Sequence, residues 1–130
     1  MSVVTDWGKY PNFSKREFDC KSTGENQMQA SFMERLQRLR LAYGKPMVIS
    51  SGYRSPKHPI EAKKARPGTH ASGHACDVAV QGADAVRLLQ LAIELGFTGI
   101  GVQQKGAGRF IPLDDHPSTA HAPRPALWSY

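Results

Sequence analysis

Two stretches with helical periodicity, each halted by a glycine, set what the rest of this chain can do. Phe32, Met33, Leu36, Leu39 and Tyr43 recur at helical spacing between residues 28 and 43. Asn26, or Ser31 with Glu34 three residues on, offers a cap at the start, and Gly44 with Pro46 behind it gives the stop. The second stretch, Ala83–Leu95, points Val86, Leu89, Ala92 and Ile93 inward and stops at Gly96. The runs around them read as strands: Pro46–Ser50, Ala75–Val80, and Thr98–Gln103 with Arg109–Leu113, the last two a hairpin closed by the KGAG turn. The expected fold is α+β: a small, mostly antiparallel sheet of about four strands with two main helices, as one domain over residues 1–130.

Three regions fall outside that frame. Residues 1–26 form an irregular lead-in with a helical turn near Ser14–Phe18, pinned to the core by Trp7, Tyr10, Phe13 and Phe18. Residues 51–70, rich in Gly, Pro, Ser and Lys, form a long loop with a helical turn at Ile60–Ala65, and a loop of that length in a small domain is usually functional. The tail from Asp114 to Tyr130 is proline-rich and irregular.

Composition removes several function classes. No apolar run approaches the roughly 18 residues of a membrane span. No basic segment followed by an apolar one opens the chain, so a cytoplasmic protein without a Sec signal is expected. Cys20 and Cys76 are read as buried free thiols, and neither lies in a CxxC. The net charge of +6 suits an anionic partner, but the cations are scattered, no aromatic platform accompanies them, and nucleic-acid binding is not expected. Arg35, Arg38 and Lys45 could share one helix face, and an ordinary solvated face explains them equally well.

The chemistry concentrates in GTHASGHACDVAV, Gly68–Val80. His70 and Asp77 are sound zinc ligands, because imidazole nitrogen and carboxylate oxygen suit a borderline cation. Seven residues of separation let a loop histidine and a strand aspartate face one ion. On spacing alone His70 and His74 could pair on a helix, which Gly73 and the strand pattern oppose; polar surface histidines are the plain alternative.

HASGHACD matches HxxGxAxD at His70, Gly73, Ala75 and Asp77; SGYRS stands at Ser51–Ser55; and GFTGIGVQQKGAGRFIPLD follows the pattern GFxGIGxY…FxHxD. With these motifs the chain resembles the zinc D-Ala-D-Ala carboxypeptidase family, whose site geometry is shared with lysostaphin-type endopeptidases and the Sonic hedgehog N-terminal domain. The lead-in FSKREFDC and the ending RPALWSY resemble phage and prophage members. The resemblance implies one zinc ion with His70 and Asp77 as ligands, and Arg54 as the fork that holds a substrate carboxylate. His74 falls on a variable position. It further implies a zinc that polarises the scissile carbonyl and activates water, with a carboxylate as base, acting on a peptide of bacterial peptidoglycan. A monomer made in the cytoplasm, acting on the cell wall after release and touching neither nucleic acid nor membrane, fits that picture.

The pattern breaks at the third ligand. The histidine of FxHxD is Pro112 here, and the position three residues before it, often the base, is Arg109. Three readings stay open. His116, or the more distant His121, replaces the ligand, with Asp114 or Asp115 as base; or the chain is a non-catalytic module that binds wall peptide; or Pro112 interrupts a site otherwise built for cleavage.

Overall fold

A computed structural model describes residues 2–64 and 68–130. In chain order its elements are α1 (Lys15–Phe18), α2 (Ala30–Tyr43), β1 (Val48–Ser51), α3 (Pro59–Ala62), β2 (Ala75–Ala79), α4 (Gly82–Glu94), β3 (Gly99–Val102), β4 (Phe110–Asp114) and β5 (Ala126–Ser129). The strands form one sheet in the order β1-β2-β4-β3-β5. All pairings are antiparallel except β3 with β5, which is parallel. The α+β class and the mostly antiparallel sheet agree with the sequence pattern. The fifth strand does not: Ala126–Ser129 lies in the tail read as irregular, and the crossing from β4 brings it alongside β3.

Side-chain alternation gives the sheet two different faces. Cys76 and Val78 of β2, Ile111 and Leu113 of β4, and Ile100 of β3 turn toward the helices and are buried. They meet Phe32, Met33, Leu36 and Leu39 of α2 and Ala85, Leu88 and Ala92 of α4 in one apolar cluster. Each large side chain so buried contributes about 1.5–3 kcal/mol. The intervening residues, among them Ala75, Asp77, Phe110, Pro112 and Asp114, face the other way and line a cavity.

Helix α2 buries the expected face. Its start lacks a side-chain cap: Gln29 holds the N-cap position, so neither Asn26 nor the Ser31–Glu34 pair serves there. Asn26 instead binds Asp19 and the Lys15 carbonyl. Helix α4 is rotated from the expected face. Ala85, Leu88 and Ala92 are buried, whereas Val86 and Ile93 are exposed. Arg35 is not solvated display: it donates to the Leu95 carbonyl at 2.6 Å. The turn expected at Ile60–Ala65 is the short helix Pro59–Ala62, and Ala65 lies outside the described residues. Both cysteines are free and buried, and burial pushes the Cys76 thiol well above its ordinary pKa. The aromatic lead-in packs as expected, with Tyr10, Phe13 and Phe18 buried. No helix among the described residues is long and apolar enough to cross a membrane.

Candidate active site

His70 sits in a 3-10 turn, Thr69–Ser72, that ends at Gly73 with φ +79°. That angle lies in the left-handed region where only glycine is unstrained. A side chain at Gly73 would also strike the backbone of Gln27, so the residue is fixed by conformation and by space. The SGYRS segment grips this turn from the other side. The Arg54 N–H donates to the His70 carbonyl at 3.1 Å, and the His70 imidazole Nδ1 lies 2.9 Å from the Gly52 carbonyl. Gly52 in turn presses on Phe18 of α1, and the Tyr53 N–H donates to the Phe18 carbonyl at 2.8 Å. The lead-in therefore buttresses the histidine through two layers of backbone.

A carbonyl oxygen only accepts, so Nδ1 of His70 carries the proton in that contact. In the neutral ring Nε2 then presents a lone pair, and it stands 3.2 Å from Asp77 Oδ1. Asp77 Oδ1 is buried and has no hydrogen-bond partner. At that distance the two atoms could pass for an ion pair, yet no hydrogen bond joins them, and two facing acceptors repel. A buried carboxylate oxygen without a donor is costly unless something positive fills the gap. Two ligands of a tetrahedral zinc at about 2.0–2.2 Å stand roughly 3.3 Å apart, which matches the spacing here. A backbone carbonyl behind the ring is also the usual device that aims a metal-binding histidine.

The third position does not fit zinc. Pro112 of β4 pairs with Asp77 of β2, so their side chains share one face. Proline offers no donor. Among the described residues no group of three His, Cys, Asp and Glu side chains could hold a metal ion. His116 is not brought to the pair: its Nδ1 lies 2.7 Å from the Pro117 carbonyl, and it lines a separate cavity with His121 and Ser72. Asp114 lines the same cavity as His70, but both its oxygens are held by Arg124, at 3.0 and 2.7 Å, so it anchors the tail where a base was expected. Asp115 points elsewhere, to His74 Nδ1 at 2.8 Å. His74 is thus a buried neighbour outside the metal pair.

The cavity holds about 400 Å³, the size of a small-molecule or short-peptide site. One wall is cationic. Arg54 and Lys64 both pair with Glu61, at 3.2 and 2.8 Å, and Glu61 also accepts from the Gly68 N–H at 2.6 Å. Burial by itself would raise the Glu61 carboxyl; the hydrogen bonds from Lys64, Gly68 and Arg54 outweigh it and hold the pKa below the ordinary glutamate value. Arg54 stays partly exposed, with donors left for a ligand carboxylate. The opposite wall is aromatic: Phe110, Trp128 and Tyr130. Glu61, Arg124 and this aromatic wall were not singled out from sequence. The alternation in ALWSY, which puts Ala126, Trp128 and Tyr130 on one side, is the signal that could have found the aromatic wall.

Residues 10–114 match the family model described as Peptidase M15. The matched span holds Arg54, Glu61, His70 and Asp77 and stops short of β5. No curated protein matches the sequence significantly.

Proposed function

We propose a function from one premise: the chain belongs to the peptidase M15 family. The cleft is that of a zinc metallopeptidase for peptides of bacterial peptidoglycan, of the carboxypeptidase or endopeptidase kind found in phage lysis. One observation carries this reading, the facing pair of His70 Nε2 and Asp77 Oδ1 with its orphaned oxygen. Arg54 and Lys64 receive the peptide's carboxylate, with Glu61 beneath them fixing the guanidinium. His70 and Asp77 face the bond.

Pro112 favours a second reading for this particular chain. A catalytic zinc takes three protein ligands, and here the sheet register sets proline where the third belongs. Peptide recognition needs Arg54 and the cavity but no metal, so binding outlasts cleavage.

The test is zinc per chain by elemental analysis after loading and dialysis, on this protein and on Pro112→His, with release of fragments from purified peptidoglycan in parallel. Near zero here and near one in the variant, with cleavage only by the variant, is the expected result. One zinc and cleavage in both would leave the enzyme reading and remove the binder reading. Zinc in neither would sink the metal site.

A further inference from the structure

The face of the sheet that carries Asp77, with the His70 turn set against it, continues across three more strands, and its far end is built by residues beyond the family match. Asp77 on β2 pairs with Pro112 on β4. Gly101 on β3 pairs with Trp128 on β5. A side chain built at Gly101 would collide with both the Trp128 indole and the Pro112 ring, so glycine is what lets these two approach. The row therefore reads Asp77, Pro112, Gly101, Trp128, with Arg54 beyond the opposite end, after β1.

The tail is locked in place for this purpose. Arg124 forms a buried, two-pronged pair with Asp114 and lies 5.6 Å from the Trp128 ring centroid. The Trp128 indole N–H donates to the Tyr130 hydroxyl at 3.3 Å, and Tyr130 packs on Phe110 with ring centroids 5.5 Å apart. Trp128 and Tyr130 line the same cavity as Arg54.

We infer that Trp128 and Tyr130 form a subsite for the aliphatic side chain on the acyl side of the bond, and so select longer peptides over a bare dipeptide. The inference rests on the proposed peptide-binding cleft. If the free carboxylate docks on Arg54, the bond lies over His70 and Asp77, and the peptide's preceding residues must run toward β5. An indole and a phenol offer apolar faces there, with polar edges already bonded to each other, which suits methylene groups better than a second charge.

The experiment compares two ligands on the full chain by NMR titration, which reads millimolar affinities: acetyl-D-alanyl-D-alanine and diacetyl-L-lysyl-D-alanyl-D-alanine. The longer ligand is expected to bind about tenfold tighter, the size of one partly buried aliphatic contact. In Trp128→Ala that advantage vanishes while the short ligand binds as before; Trp128→Phe keeps most of it; Arg54→Gln weakens both ligands. Equal affinity for the two ligands in the unaltered chain, or equal weakening of both by Trp128→Ala, overturns the subsite and leaves the cleft reading standing. No binding of either ligand to the unaltered chain overturns both.

Discussion

Asp77 and Asp114 are buried aspartates on neighbouring strands of one sheet face, and they are held in opposite ways. Asp114 has Arg124 on both oxygens, the His116 N–H at 3.2 Å on one of them, and Gly99 packed against its carboxyl group. Asp77 leaves Oδ1 with no donor, facing a histidine lone pair. A fold that merely needed a carboxylate would satisfy both. The contrast separates a carboxylate that serves the structure from one left unsatisfied, as the proposed zinc site would need, and burial alone does not distinguish them.

The largest effect is expected at Asp114. Asp114→Ala strands the Arg124 guanidinium in a buried place and should cost about 3–5 kcal/mol, seen as a fall in the urea midpoint. Replacing both partners with apolar residues should cost much less, because no charge is then left unpaired. If the single and double variants were equally unstable, the tail would be held by packing instead.

Glu61 offers an intermediate case, a buried carboxylate that serves the fold and the cationic wall at once. Glu61→Gln should cost about 1.5–3 kcal/mol at pH 7, through lost charge-assisted hydrogen bonds. The folded-state pKa of Glu61 is lowered, so its contribution is complete above the ordinary glutamate value of about 4.3 and is lost as the pH falls from there through the folded value. The stability gap between the parent and Glu61→Gln should therefore close on acidification in that window. A gap independent of pH would mean the carboxylate is not what the cluster uses.

The smallest stability effect is expected at Asp77. In Asp77→Asn the amide can donate to His70 Nε2, turning two facing acceptors into a hydrogen bond. A change within about 1 kcal/mol, of stabilising sign, should follow. In a Pro112→His background the same change should abolish zinc uptake. A loss as large as that at Asp114 would erase the contrast between the two aspartates.

Much of this was legible because it is local. Helix α2 announced itself through five apolar positions and a Gly–Pro stop, and all five are buried. The His70–Asp77 pair lay within eight residues, with Gly73 marking the turn. Helix α4 misled, because alanines count little in an apolar pattern, yet Ala85 and Ala92 are among the residues it buries. Glu61 hid among lysines, where a carboxylate reads as one more solvated charge. Asp114 with Arg124, and β5 beside β3, depend on pairings across the tail that no spacing encodes. Proline in a sheet belongs at an edge or a bulge, yet β4, which holds Pro112, lies between β2 and β3.

That interior position ties together two quantities that mutation usually sets against each other. Phe110 sends its N–H to the carbonyl of Gln103, just past the end of β3, at 2.9 Å, so the nitrogen two residues along, that of Pro112, faces β3 with nothing to give. Pairing between β3 and β4 stops at Ile100–Leu113 and resumes only at the Gln103–Phe110 bridge. Functional residues commonly tax stability, and their loss relieves it. Here a histidine at 112 would supply the missing ladder donor, about 1 kcal/mol in a sheet interior, together with the third ligand of the proposed zinc site. A screen for thermal survival alone, run with no metal and no substrate, should therefore favour histidine at 112.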